Sequence, residues 1–105
     1  MTPTHMVQIL LPLYDNSHEN LPRELFDAVR NELSQKFGGL TAYTQAPAEG
    51  LWREGTTEPS RDDIVIYEVM TQHLDTTWWS NYRRELETRF RQQHVVVRSQ
   101  IIQLL

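Results

Sequence analysis

The sequence predicts an α+β fold in which two helices cover one face of a four-stranded antiparallel sheet. Its periodic segments follow the order strand–helix–strand–strand–helix–strand, which is the order of the ferredoxin-like βαββαβ sandwich. The first and third predicted strands are apolar on both faces, as expected for the central strands of such a sheet. The chain has 105 residues, a common size for one domain, and we therefore predict a single domain over residues 1–105.

The first predicted strand and helix occupy the N-terminal third of the chain. The strand is predicted from Val7 to Leu13, and its side chains are apolar on both sides. Asn20 is a plausible N-cap for the helix, and Pro22 suits its first turn. The helix is predicted to end at Phe37, because the glycines Gly38-Gly39 favour the left-handed conformation of a helix terminus. Its predicted buried stripe consists of Leu25, Phe26, Val29, Leu33 and Phe37.

The remaining four elements follow a long connection. Leu40 to Thr44 predicts a short strand, and the glycines and prolines within residues 45–60 predict a long hairpin loop. Ile64 to Thr71 predicts a strand with apolar residues on both faces. Asp75 is predicted to cap the second helix, and Val95 to Leu104 to form the last strand. The predicted buried stripe of the second helix consists of Trp79, Tyr82, Leu86 and Phe90.

Composition excludes several classes of function. Without cysteine, the chain can form no disulfide, thiolate metal site or cysteine nucleophile. A net charge of −4 counts against nucleic-acid binding. RNA-binding domains of this topology stack bases on aromatic residues of the third strand, but here the acidic pair Asp62-Asp63 precedes that strand, where a basic residue is expected. The longest apolar stretch, from Met6 to Tyr14, is too short to cross a membrane. It also lacks the basic start of a secretory signal, so we expect a cytoplasmic protein. We expect no cofactor.

The second face of the sheet needs a partner. Two helices can cover only one face, and a large uncovered apolar face usually marks an interface. We therefore predict a homodimer through the open sheet face, or a barrel-like pair of chains that share edge strands.

The chain resembles two groups of proteins. In topology it is similar to the dimeric α+β barrel group, which contains cofactor-free monooxygenases, lactone isomerases and haem-degrading enzymes. The motifs from Phe37 to Thr41, Gly50 to Arg53, Gly55, and Glu58 to Ser60 resemble a small bacterial family of unknown function. The resemblance in topology implies a fold of the dimeric α+β barrel type. The motifs imply no reaction, and the family supplies no catalytic residues for this chain.

Glu68 is the first candidate catalytic residue. It lies on the same predicted strand face as Ile64, Ile66 and Met70, where a carboxylate loses hydration. Such a carboxylate either pairs with a cation or takes a raised pKa, which is how general bases arise. Arg53 and Arg98, on other segments, are possible partners. The alternative is a structural ion pair at the dimer seam.

His73, at the end of the third strand, is the second candidate. Histidine titrates near neutral pH, and His73 can combine with Trp78 and Tyr82 to line a pocket. A solvated histidine at a strand end is the alternative. Trp52 and Arg53, of the residue types enriched at binding hot spots, are candidates for a lid over a pocket or for an anchor to a partner. A Trp52 that only closes the end of the core is the alternative.

A metal site is not predicted. Asp15, His18 and Glu19 carry ligand types that suit Zn²⁺ or Mn²⁺. Their spacing does not match a preformed site, and a solvated loop is the favoured interpretation.

Two functions of different classes remain open. The first is a homodimeric small-molecule-binding protein, in the sharpest form a cofactor-independent enzyme of the monooxygenase or isomerase type. Its pocket is expected between sheet and helices. The second is a non-catalytic protein-interaction or regulatory module that uses the open sheet face. The candidate ligand-binding residues are Tyr14, Trp52, Arg53, Trp78, Tyr82 and Arg98, with Glu68 and His73 as the candidate catalytic pair.

Overall fold

The structure is a computed structural model that describes residues 4–45 and 64–105. Its four strands form one antiparallel sheet in the order β2-β3-β1-β4. This confirms the predicted α+β fold class, and it confirms that the first and third strands are central. The elements are β1 (Thr4–Pro12), α1 (Arg23–Phe37), β2 (Thr41–Gln45), β3 (Ile64–Thr71), α2 (Thr76–Arg89) and β4 (Val96–Ile102).

Alternation along β1 divides the sheet into two faces. Val7, Ile9 and Leu11 are fully buried and belong to the core cluster. They lie opposite Val69, Tyr67 and Val65 of β3, whose side chains point to the same face. The helices cover this face. Core residues from the helices and loops are Leu21, Val29, Leu33, Trp79, Tyr82, Leu86, Phe90 and Val95.

The predicted cap of α2 and the predicted end of α1 agree with the structure, whereas the predicted start of α1 does not. Asp75 caps α2, since its carboxylate accepts a hydrogen bond from the Trp78 backbone N–H at 3.0 Å. α1 ends at Phe37, and Gly38 has the left-handed φ of 77°. The prediction that Asn20 caps α1 was wrong. Asn20 forms a β-bridge with Tyr14, so it stands in extended backbone before the helix. Pro22, which was predicted in the first helical turn, instead occupies the N-cap position with extended backbone, and the helix begins at Arg23.

Each strand extends as far as its residues pair with a neighbouring strand. β3 spans the predicted residues Ile64–Thr71. β1 begins at Thr4, earlier than predicted, because Thr4 pairs with Ile102 at the sheet edge. β4 ends at Ile102, two residues before the predicted end. Neither helix in the described ranges combines the length and apolarity that a membrane crossing requires.

A charged cluster joins the two helices. Glu32 of α1 accepts a hydrogen bond from the buried Tyr82 hydroxyl at 2.7 Å. The Arg89 guanidinium forms a bidentate pair with both Glu32 oxygens, at 2.8 and 3.0 Å, and also binds Glu85. Hydrogen bonds from Arg89, followed by the one from Tyr82, lower the pKa of the Glu32 carboxyl.

Replacement of Glu32 by Gln should lower the free energy of unfolding by about 1 kcal/mol at neutral pH, because two donors on α2 lose a charged acceptor. The folded-state pKa of Glu32 is lowered, so its stabilising effect is complete above the unfolded-state pKa of about 4.3 and is lost as the pH falls through the folded value. Urea unfolding at several pH values measures the difference. Glu19→Gln, a change at an exposed carboxylate outside both helices, is the control. A Glu32→Gln loss that stays constant in acid would contradict this account.

Candidate functional site

A group of polar side chains lies in the middle of the open face of the sheet. Gln8 of β1 stands between Glu68 of β3 and Arg98 of β4 in the strand register. Tyr43 of β2 reaches the same place from the neighbouring row. We call these four residues the polar cluster. The polar cluster lies on the face of the sheet that points away from the helices, and it contains charged side chains between apolar neighbours.

The polar cluster is connected by hydrogen bonds of fixed direction. The Gln8 side-chain amide donates to Glu68 Oε1 and to the Tyr43 hydroxyl, both at 2.9 Å. The Tyr43 hydroxyl donates in turn to Glu68 Oε1, at a longer 3.4 Å. Arg98 Nε donates to Gln8 Oε1 at 2.9 Å. The Gln8 amide thus links a carboxylate to a guanidinium. Its nitrogen and oxygen cannot exchange places without breaking both contacts, because only the nitrogen can donate to the carboxylate and only the oxygen can accept from the guanidinium.

Apolar residues flank the polar cluster on both sides along the strands. Met6 of β1 pairs with Met70 of β3 on one side, and Leu10 pairs with Ile66 on the other. Met70 is 49% exposed, whereas Ile66 is 2% exposed. The charged groups of the cluster therefore border an apolar surface that is open near the methionines.

The chemistry of the cluster suits a ligand with charges at two ends. Glu68 and Arg98 belong to strands on either side of β1, so their backbones lie about 10 Å apart. A cationic group can approach the carboxylate while an anionic group meets the guanidinium, which binds carboxylates in a bidentate manner. Both Glu68 and Gln8 are half-buried, so the cluster keeps access to solvent.

The structure brings together some of the predicted site residues. Glu68 lies on the predicted strand face, and Arg98 is connected to it through Gln8. Among the described ion pairs, none joins Arg98 directly to Glu68. Trp52 and Arg53 lie outside the described residues. His73 is exposed in the turn after β3, where its backbone carbonyl accepts a hydrogen bond from the Thr71 hydroxyl.

Trp78 and Tyr82 lie in the helical layer and not with Glu68. Tyr82 is buried, and Trp78 stacks on it with ring centroids 4.8 Å apart. Lys36 of α1 places its ammonium 4.5 Å from the centre of the Trp78 ring. Burial, and then the hydrogen bond to Glu32, raise the pKa of the Tyr82 hydroxyl well above its usual range. Tyr82 thus stays protonated and serves the contact between the helices.

The described residues therefore do not assemble the pocket expected between sheet and helices. The Glu68 side chain points away from the helices, because it alternates with Tyr67 and Val69, which face the core. Trp78 is on the other side of the sheet. Tyr14 follows the end of β1, whereas His73 follows the end of the antiparallel β3, so these two lie at opposite ends of the sheet.

In the loop that contains Asp15, His18 and Glu19, the Asp15 carboxylate stabilises the loop backbone. The buried Asp15 carboxylate accepts hydrogen bonds from the backbone N–H groups of Ser17 and Glu19, at 2.8 and 2.9 Å, and pairs with Arg91 at 3.1 Å. The hydrogen bond from Glu19 is the main cause that lowers the pKa of Asp15. His18 and Glu19 are exposed. Within the described ranges, no three side chains of metal-ligand type come together.

A small cleft lies between sheet and helix at the β4 edge. It has a volume of about 180 Å³, and it lies between the start of α2 and the helix-facing sides of β1 and β4. Trp79, Ser80 and Arg83 line it from the helix, and Val97 and Ser99 from the strand. Pockets that enclose drug-sized molecules measure roughly 300–1,000 Å³, so this cleft suits only a fragment of such a ligand.

Sequence reasoning missed two members of the polar cluster. Gln8 is the one polar residue between Met6 and Leu13. Its even position places it on the same face as Met6 and Leu10, and this signal predicts a polar contact on the open face. Tyr43 carried no such signal, because its place depends on the register of β2 against β3.

Comparison with known proteins gives a fold but no family. No protein-family model matches the sequence, and no curated protein matches it. In its fold the chain is similar to a phage SAM lyase, solved in complex with S-methyl-5'-thioadenosine. The superposition has a TM-score of 0.62, covers 93% of this chain and 81% of the lyase chain, and pairs residues at 16% identity. The similarity supports the fold, and the resemblance to a small bacterial family stays a prediction.

Replacement of Asp15 by Asn should loosen the first loop and destabilise the protein at neutral pH, because the loop N–H groups and Arg91 lose a charged acceptor. The pKa of Asp15 is lowered on folding, so its contribution is complete above the unfolded-state pKa of about 3.9 and is lost as the pH falls through the folded value. Amide hydrogen exchange of residues 15–20 and urea unfolding measure the effect. Glu19→Gln, which keeps the backbone donor, is the control. Unchanged exchange in Asp15→Asn would contradict the assigned contacts.

Proposed function

We propose that this protein binds a small organic molecule carrying both a cationic and an anionic group on the open face of the sheet. The observation that supports this is the hydrogen-bonded series of Glu68, Gln8 and Arg98, which the apolar pairs Met6–Met70 and Leu10–Ile66 flank along β1 and β3. A carboxylate, an amide and a guanidinium on adjacent strands are held at a fixed spacing, and they complement a ligand that carries a positive charge at one end and a negative charge at the other. The chemistry that these side chains support is therefore recognition of charge and shape at one site.

Each member of the polar cluster has a role in this proposal. Glu68 attracts the cationic group, and Arg98 binds the anionic one. Gln8 holds both in place, since it hydrogen-bonds to each. The exposed thioether of Met70 packs against the apolar part of the ligand, because methionine adapts to irregular apolar surfaces.

SAM is the first ligand to test. It combines a sulfonium cation with an amino-acid group, which is the charge pattern that the polar cluster complements. The fold similarity to a SAM lyase that binds S-methyl-5'-thioadenosine motivates the choice of this class. S-methyl-5'-thioadenosine is the matched probe, because it has the nucleoside and the thioether but lacks the sulfonium and the amino-acid charges.

Isothermal titration with both compounds tests this proposal. We expect SAM to bind at least tenfold more tightly than S-methyl-5'-thioadenosine, a difference of about 1.4 kcal/mol. Glu68→Gln should remove most of this preference, because it removes the charge that attracts the cation. Glu24→Gln, an exposed carboxylate change on α1, should leave binding unchanged. Equal binding of SAM to wild type and Glu68→Gln would contradict the assigned site.

Turnover is an extension of the same proposal. In a lyase reaction of the elimination type, a base removes a proton from the carbon next to the one that carries sulfur, the C–H electrons form a C=C bond, and the C–S bond breaks with its electron pair staying on sulfur. Glu68 is the residue of the polar cluster that can accept this proton. Chromatographic detection of S-methyl-5'-thioadenosine after incubation with SAM would support catalysis, provided that Glu68→Gln abolishes it. Recovery of intact SAM would support a binding protein without this activity.

The second candidate function is a protein-interaction module that uses the open face, including a homodimer packed sheet to sheet. The exposure of Met70 and Val96 favours it, since both are 49% exposed on this face. Met70→Asp should then dissociate the assembly, as measured by light scattering after gel filtration. A dimer that survives this change would not use the face around Met70.

A further inference from the structure

Within the described residues, the outer edge of β4 carries one charged side chain, Arg98, and none of the other usual protections of an edge strand. β4 is the last strand of the sheet on its side and pairs with β1 over seven consecutive residues without a bulge. Proteins normally protect such an edge with charged side chains, lysine above all, or with proline, a bulge or a short strand. Arg98 is the single charged residue of β4. Residues 96–102 contain neither lysine nor proline. By comparison, the described part of β2, at the opposite edge, has five residues.

The sequence of β4 is complementary to itself when the strand is reversed. We propose that β4 pairs antiparallel with β4 of a second copy, about a two-fold axis at Ser99. In this register Val96 lies opposite Ile102 of the partner, and Val97 opposite Ile101. Arg98 lies opposite Gln100, and Ser99 meets its own counterpart. Every β-branched apolar residue therefore faces another, and every polar residue faces a polar one.

The pairing covers apolar side chains that the single chain exposes. Ile101 is 70% exposed on the helix-facing side of β4, and Val96 is 49% exposed on the open face. Each gains a cross-strand β-branched neighbour on its own face, which is the type of contact that stabilises sheets. The interface is isologous, so each contact occurs twice.

Neighbouring registers are less favourable. A two-fold axis at Arg98 would place the two Arg98 guanidinium groups opposite each other, and like charges in directly opposed positions destabilise a sheet. An axis at Gln100 would place Arg98 opposite Ile102 and Ser99 opposite Ile101. The register at Ser99 avoids both mismatches, and this preference identifies a second copy of the chain as the partner.

The paired strands would join the open faces of two copies into one surface. Gln100 of the second copy would lie beside Arg98, at the end of the polar cluster. The pairing itself needs no ligand, so a failure of SAM binding would leave it unaffected.

Cysteine cross-linking tests the register directly. The chain contains no cysteine, so every disulfide must form between introduced residues. Across an antiparallel pair the Cα atoms are about 4.5–5.5 Å apart, within the range of about 4.4–6.8 Å that a disulfide spans. Ser99→Cys should therefore yield a covalent dimer under mild oxidation, as measured by non-reducing electrophoresis.

Ile101→Cys is the matched control. In the proposed register the two copies of residue 101 lie about 14 Å apart, so this variant alone should not cross-link. Its greater exposure would favour cross-linking if contact were random. A mixture of Val97→Cys and Ile101→Cys chains should form the mixed disulfide. Cross-linking of Ile101→Cys alone to the same extent as Ser99→Cys would overturn the register.

The oligomeric state of two charged variants tests the interface. Ile101→Asp should weaken dimerisation at least tenfold, as measured by light scattering from low to high micromolar concentration. Because Ile101 is exposed in the single chain, the fold should survive, and circular dichroism checks this. Met70→Asp, an equally disruptive change on the open face, should leave the dimer intact. A monomeric wild type, or a dimer that only Met70→Asp dissociates, would overturn the proposal.

Discussion

The alternation of side chains along β1 is the constraint on which the rest of the structure depends. β1 is hydrogen-bonded to strands on both sides, so its register fixes which residues of β3 and β4 share each face. Odd-numbered residues from Val7 to Leu11 enter the core and are fully buried. The even-numbered residues consequently reach the open face, and a slip of one residue would exchange the two sets. The core and the candidate site are thus two results of one register.

The same alternation explains why a polar cluster is tolerated in the middle of the sheet. Gln8 and Glu68 are half-buried, so neither loses all contact with water. The Gln8 amide donates to the carboxylate and accepts from Arg98, and these hydrogen bonds compensate for the hydration that is lost. On the core face, a carboxylate at either neighbouring position would need a buried cation.

The sequence predicted those features that depend on local patterns. The bounds of β3, the Asp75 cap and the glycine at the end of α1 follow from periodicity and from backbone preferences within a few residues. The Asn20 cap failed because the contact with Tyr14, six residues earlier, decided the local conformation. Tyr43 was missed for a similar reason, since the register of β2 is set by pairing across a long connection.

The expectation of one pocket containing Glu68 and Trp78 conflicted with the sequence pattern itself. Ile66 and Glu68 share one face of β3, and the helices cover the face of Tyr67 and Val69. A side chain of α2 cannot reach a residue on the far face of the sheet. The alternation along β3 is by itself sufficient to separate Glu68 from Trp78.

The open face of the sheet and the edge of β4 differ in the free energy that is lost when a second protein covers them. A sheet-to-sheet interface would bury the Glu68 carboxylate and the Arg98 guanidinium, and the desolvation of charges offsets much of what apolar contact contributes. Pairing of β4 edges instead satisfies backbone groups and covers β-branched side chains, while the polar cluster stays open to a ligand. The charge in the middle of the open face therefore favours a division of roles, in which the face binds and the edge assembles.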